Sequence, residues 1–234
     1  MLPKRAEADD LPTLYRHRFG EAERRQKDAL WKVLCQQFLQ RYVGLSDTVV
    51  DLGAGYGEFI NNIRCGKKYA VDLNEDTGRA VDEDVSFLKS SGYELTALDD
   101  GSVDVVFASN LFEHLASKDE LLATLAEIER VLCAGGKLLV LQPNIRYAYR
   151  EYWDFFDHHL PLSHESLSEA LELSGFDVVE RRPRFLPYTT KSRLPQHPLL
   201  LRLYLRLPPL QWLLGKQMFV VGVKRAGAAA GPRH

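Results

Sequence analysis

The stretch VVDLGAGYGEFI, residues 49–60, runs an aliphatic strand-like segment through Asp51 into three closely spaced glycines, Gly53, Gly55 and Gly57. Glycine reaches left-handed backbone conformations and lets a ligand approach the main chain. A glycine turn that ends a buried strand and leads into GEFINNIR, read here as a helix, offers backbone amides and a helix N-terminus to an anionic or strongly polar group. It commits the chain to a strand–turn–helix unit whose ligand lies at the carboxyl end of the strand.

The segments that follow extend this unit. TVVDLG (48–53), KKYAVDL (67–73), a shorter VSFLKS, VDVVFAS (103–109) and GKLLVLQPN read as strands, and KDELLATLAEIERVLC (118–133) reads as a helix with Leu121, Leu122, Leu125, Ile128 and Leu132 apolar. Strands that are aliphatic on both faces and separated by helices predict a mostly parallel sheet covered on both sides. Later, SLSEALELSGF (166–176) reads as a helix, and DVVERRPRF and KQMFVVGVKR as two closing strands. The predicted fold is therefore α/β: a doubly wound, Rossmann-like sheet of seven strands, mostly parallel with an antiparallel last strand. N-terminal helices precede the sheet and a C-terminal cap insertion interrupts its end.

The boundaries read as an N-terminal helical cap over 1–44, helix-like from Leu14 to Tyr42, and a main domain over 45–225. The Pro- and Leu-rich insertion at 186–215, too long for a hairpin loop, is expected to cover a substrate. A low-complexity tail, 226–234, is expected to be disordered. Thirty basic and 32 acidic residues give a net charge of −2, so no global field recruits nucleic acid or an anionic membrane, which leaves only local patches for such contacts. The opening MLPKRAEADD lacks the apolar run of a secretory signal, which predicts a cytoplasmic protein. Cys35, Cys65 and Cys133 show neither a disulfide framework nor metal-ligand spacing. The run LLLRLYLRLPPLQWLL is cut by Arg202, Arg206 and the Pro208–Pro209 pair, so it cannot span a membrane but could lie on one peripherally.

Two cofactor classes use a glycine turn of this kind. A dinucleotide site wants G-x-G-x-x-G; here Gly53 and Gly55 fit, but Glu58 takes the third position, where an acid would face a pyrophosphate. The pattern D-x-G-x-G-x-G resembles instead motif I of the class I S-adenosylmethionine-dependent methyltransferases, in the type 11/12/23-like superfamily. Further segments carry the resemblance in order: KKYAVDLNED with its Asp72, then LDDGSVDVVFASNLFEHL (98–115), VLCAGGKLLVLQPN, and SHESLSEALELSGFDVVE. The resemblance implies S-adenosyl-L-methionine as cofactor, held by Asp51, Gly53, Ala54, Gly55, Asp72, Leu73, Asn110 and Leu111, with Asp72 accepting from the ribose hydroxyls. The acid that many relatives place after the third strand for adenine is replaced by Ser90, Ser91 or Gly92, which leaves Asp99 as the acidic alternative.

Methyl transfer to a hydroxyl or ammonium needs alignment and a proton acceptor. Histidine titrates near neutral pH, and the candidates are His114, His158, His159 and, as an acid able to orient His159, Asp157. His114 reads equally well as a hydrogen-bonded helix residue. Some metal-assisted relatives carry E-x-x-E-H where this chain has Asn110-Leu-Phe-Glu113-His114; the first acid is missing, so no metal is expected. The aromatic run around Tyr147–Phe156 is a packed lid or a platform for a ring or sugar face. The expected activity is methyl transfer to a small-molecule or glycan-type acceptor, at oxygen. The rivals are a non-catalytic partner protein that only binds the cofactor, an NAD-dependent oxidoreductase, and a nucleic-acid methyltransferase using the basic RRPR segment.

Overall fold

A computed structural model describes residues 21–188 and 197–226. The start of the expected N-terminal cap, positions 189–196 of the insertion, and the tail beyond 226 lie outside the described residues. Helix α1 (Glu21–Gln37) and a short 3-10 turn (Leu39–Tyr42) lead into β1 (Thr48–Leu52). Then follow β2 (Lys67–Asp72), α2 (Thr77–Ala80), β3 (Val85–Lys89), β4 (Val103–Ser109), α3 (Lys118–Val131) and β5 (Leu132–Pro143). The chain continues through α4 (Ile145–Tyr152), α5 (His164–Leu173), β6 (Phe176–Arg182), α6 (Pro198–Arg206), α7 (Pro208–Leu214) and β7 (Gln217–Lys224).

The seven strands form one sheet in the order β3-β2-β1-β4-β5-β7-β6. Neighbours from β3 to β5 pair in parallel, and β7 runs antiparallel between β5 and β6. Because strand side chains alternate with period two, each central strand feeds two cores. Val50, Val106, Leu138 and Val140 join Leu121, Leu125 and Ile128 of α3 on one face. Val49, Val105, Phe107, Leu139 and Leu141 join Leu34 and Phe38 of the N-terminal segment on the other. Ser117 caps α3 by accepting from the Glu120 N–H, and Ser163 with Ser166 forms a capping box on α5. The expected fold class holds in strand number, direction and layering.

Three local readings change. The segment after the glycines is a run of turns rather than a helix. Gly57 sits at φ 75°, which no helix accommodates, and its N–H closes a tight turn onto the Ala54 carbonyl. Single longer bonds follow from Asn61 to Gly57 and from Ile63 to Phe59. Helix α4 was not legible among the aromatics; the Asn144 side chain starts it by accepting from the Arg146 N–H. The late insertion holds two helices, each opened by proline at its first turn.

The N-terminal segment is knitted into the domain rather than laid over it. Phe38 packs against Phe185 beyond β6 at 4.3 Å between ring centroids and against Phe219 of β7 at 5.0 Å. Lys27 of α1 pairs with Glu58 at 2.7 Å, and Asn62 donates to Asp28 at 2.8 Å. Phe38→Ala should therefore cost about 3–5 kcal/mol of stability, read by urea unfolding; a loss below 1 kcal/mol would mean that α1 is a dispensable cover.

Candidate active site

The glycine turn stands at the carboxyl end of β1, and β2 holds it in place. The N–H groups of Gly53 and Ala54 both donate to the Val71 carbonyl, at 2.8 and 3.2 Å. The Gly55 N–H donates to one Asp72 oxygen at 2.8 Å, and the Asn74 N–H to the other at 2.8 Å. A carboxylate has about four acceptor sites, so Asp72 retains capacity toward a ligand after anchoring two loops. Gly53 and Gly55 have φ values of 72° and 57°. A Cβ on Gly53 would meet Leu111 at 2.9 Å, whereas one on Gly55 would meet nothing within 4 Å. The turn is therefore packed on one side and open on the other, as a main-chain cradle for a ligand requires.

Asp51 lies behind this cradle. It is 3 % exposed, and burial, reinforced by Glu58, raises its pKa well above the usual carboxylate range while the Ile60 N–H opposes the shift. The position is that of a turn anchor. Leu73 stands exposed at the end of β2, and Ser90, just past β3, donates its N–H to the Asp72 carbonyl. Asp99 departs from expectation. It precedes the amino end of β4, in a loop whose Gly101 N–H meets the Arg130 carbonyl at the carboxyl end of α3. Parallel strands put that loop on the edge opposite the glycine turn, so Asp99 does not join the site, and Ser90 and Ser91 occupy the ligand edge instead.

The loop 110–115 joins the cradle to a second cluster. Asn110 adopts φ 48°, the one left-handed non-glycine among the described residues; such outliers concentrate at functional sites. Its N–H donates to the Leu141 carbonyl of β5 at 2.8 Å. Leu111 leans on Gly53, and a 3-10 turn (Phe112–His114) then carries Glu113 and His114 to the segment after α4. The Glu113 carbonyl accepts from the N–H groups of His159 and Leu160, fixing that approach.

His114 Nδ1 lies 3.0 Å from the Asp157 carbonyl oxygen and 3.4 Å from its carboxylate. Two acceptors at one nitrogen put the proton on Nδ1 and leave Nε2 as the basic atom. The expected pairing of Asp157 with His159 is thus replaced: Asp157 faces His114, while the His159 side chain is exposed. His158 is buried against Tyr152, Phe155 and His114, with ring centroids 4.6, 4.8 and 5.0 Å away.

Glu113 was not singled out as a functional residue from the sequence, although an acid beside the histidine and preceded by Phe112 was the available signal. It is 2 % exposed, and burial, with a smaller contribution from Asp157, pushes its carboxyl up to about 8. Its Oε2 and the Tyr152 hydroxyl have no hydrogen-bond partner among the described residues. Glu113, His114 and His158 place one donor atom each within 4.8 Å of one another, a set able to hold a divalent ion.

Residues 50–140 match the family model of a methyltransferase domain. That stretch identifies a methyltransferase domain within the chain. Its cofactor is S-adenosylmethionine, and the open cradle at Gly55 beside Asp72 suits a polar ligand of that kind. The methyltransferase fold recurs in solved structures. A chain of the Haloferax volcanii complex between the Trm112 methyltransferase activator and a methyltransferase is 20 % identical with a TM-score of 0.67, covering 95 % of this chain and 99 % of that one. A SAM-dependent methyltransferase from Archaeoglobus fulgidus is 21 % identical with a TM-score of 0.62, over 84 % and 94 %. One from Mesorhizobium loti is 16 % identical with a TM-score of 0.59, over 84 % and 98 %. These likenesses establish the fold; comparison with curated proteins finds no match.

Glu113 sets a pH signature for the methyltransferase domain. Its pKa is higher in the folded than in the unfolded chain, so the native state holds the extra proton between about 4.5 and 8. That contribution to stability is complete below pH 4.5 and is lost as pH rises through 8. Thermal melts should fall over this window, and Glu113→Gln should flatten the fall; an unchanged slope would show that the carboxyl is ionised in the folded protein.

Proposed function

We propose that the protein transfers a methyl group from S-adenosylmethionine to an oxygen of a small-molecule or glycan-type acceptor, with His114 as the proton acceptor. The observation that carries this reading is the loop 110–115, which sets Leu111 against the glycine turn and His114 against Asp157 within four residues. Gly53, Ala54 and Gly55 would hold the cofactor's polar end through the main chain, Asp72 its ribose, and Leu73, Asn110 and Leu111 its remaining faces. Asp51 supports the turn from behind.

S-adenosylmethionine supplies a methyl group already activated on a sulfonium sulfur. The chain must align the acceptor oxygen in line with that methyl, exclude water and take the acceptor's proton. Alignment alone can contribute about 7–11 kcal/mol. The Asp157 carbonyl and carboxylate fix the His114 ring with Nε2 basic, so Nε2 would take the acceptor's hydroxyl proton, and the cofactor, giving up its methyl group to the oxygen, would leave as S-adenosylhomocysteine. His158 and Tyr152 wall the cluster, and α4 with the α6–α7 pair forms the acceptor side. In this reading the N-terminal segment and the 186–215 insertion are parts of one catalytic domain.

Asp72→Ala should weaken cofactor binding by at least tenfold in calorimetry while the protein stays folded; unchanged affinity would displace the cofactor from β2. His114→Ala should lower kcat by about 10²- to 10⁴-fold with cofactor affinity retained, and Asp157→Asn should shift the acidic limb of the pH–rate profile. Turnover that withstands EDTA would support proton transfer without a metal. Loss on chelation, restored by a divalent ion, would place that ion among Glu113, His114 and His158.

The activator-bound relative motivates a second reading, that this chain too works with a small activator protein. Turnover by the purified chain alone would count against it.

A further inference from the structure

Charge is segregated along the chain. After Glu180 the sequence holds eleven lysines and arginines and no aspartate or glutamate, although acids outnumber bases over the whole chain. The α6–α7 pair lies inside this acid-free stretch. One side of it is anchored: Leu201 and Leu205 pack on the second core, the Tyr204 hydroxyl donates to the Phe185 carbonyl at 2.7 Å, and Gln211 donates to the Leu205 carbonyl at 3.2 Å.

The other side is apolar and open. Leu199, Leu200, Leu203, Leu207, Trp212 and Leu213 are all exposed, Trp212 to 70 % and Leu199 to 63 %. At about 100° per residue the four leucines share one arc of α6 and its end, and the exposed Arg202 and Arg206 border that arc. Beside them a cleft of about 330 Å³ opens between Arg181, Arg182, Arg184, Tyr147 and Trp212. Arg181 and Arg182 are paired with Glu165 and Glu180. Arg184 instead donates to the Gly215 and Leu213 carbonyls at 3.0 and 2.7 Å and lies over the Tyr147 and Trp212 rings. Neutral partners leave its positive charge uncompensated among the described residues.

We propose that the α6–α7 pair docks on an anionic phospholipid bilayer, its leucines and Trp212 entering the boundary between headgroups and acyl chains while Arg184, Arg202 and Arg206 meet the phosphates. An amphipathic helix with arginine beside a broad apolar face binds membranes in this way, tryptophan favours the interfacial depth, and guanidinium suits phosphate. No described helix is long and apolar enough to cross a membrane, so the contact is peripheral. A second copy of the chain fits the face less well, because a two-fold contact would set arginines against arginines. The docking also has a direction. Gln217, just after α7, pairs with Pro143 at the carboxyl end of β5, so the helix pair sits on the edge that carries the glycine turn and the loop 110–115. The acceptor side of the domain would then face the lipid.

Flotation of the full chain with phosphatidylcholine vesicles, and with 7:3 phosphatidylcholine–phosphatidylglycerol vesicles, tests it. Binding to the anionic vesicles at 50 mM salt should exceed binding to neutral ones at least tenfold and should fall at 500 mM salt. Arg202→Gln and Arg206→Gln should each weaken it about fivefold, and the Trp212→Glu/Leu213→Glu pair should abolish it. These side chains are exposed, so thermal melts report intact folding, and Leu122→Glu on α3 serves as a matched control that leaves binding unchanged. Absence of flotation with anionic vesicles, or equal flotation of the Trp212/Leu213 variant, overturns the proposal. So does a dimer that this variant dissociates while vesicles stay unbound, which would assign the face to a second copy.

Discussion

The site depends on a carboxylate that never leaves the scaffold. Asp72 ends β2, yet its two oxygens hold the amides of Gly55 and Asn74 and so tie together the loops that follow β1 and β2. Since Gly53 and Ala54 share the Val71 carbonyl, the glycine turn is fixed by its neighbour strand and not by a helix of its own. This explains how a segment of successive turns can replace a helix without loosening the cradle. The left-handed residues and the cross-strand bonds supply the rigidity that a first helical turn would otherwise give.

How far the sequence reveals this molecule follows from the range of the interactions involved. Strands β1 to β5 were legible because β-branched and aliphatic runs buried on both faces leave a local signature. Helix α3 was legible from its 3.6-residue spacing, and the structure adds the Ser117 cap at its start. The turns at 57–64 were not, because GEFINNIR has helical composition and only the φ of Gly57 and contacts from Asn61 to the Ala80 carbonyl and the Asp82 N–H decide against a helix. Helix α4 was hidden by its aromatics, which report packing more strongly than period. At the site, Gly53, Gly55, Asp72, Asn110 and Leu111 are neighbours by way of adjacent strands. Asp99 went astray because an acid just before a strand occupies the wrong edge of a parallel sheet, a fact of topology that spacing alone does not carry.

The histidines show the same limit more sharply. In DFFDHHL, Asp157 is two residues from His159 and 43 from His114, and short spacing favours the nearer partner. The structure reverses this, because the Glu113 carbonyl captures the His159 and Leu160 amides and brings the loop 110–115 against the segment after α4. A backbone acceptor thus decides which side-chain pair forms, and no residue-type pattern encodes it. The same approach buries the Glu113 carboxyl, and that burial, with a smaller contribution from Asp157, keeps its proton near neutral pH.

That neutral acid gives the cluster a definite electrostatic character. With Glu113 protonated, the Asp157 side chain is the second acid beside the His114 ring, 3.4 Å from its Nδ1. Ionising Glu113 would place a negative charge inside the cluster that it forms with His114 and His158. Burial of the Glu113 carboxyl is what keeps it neutral.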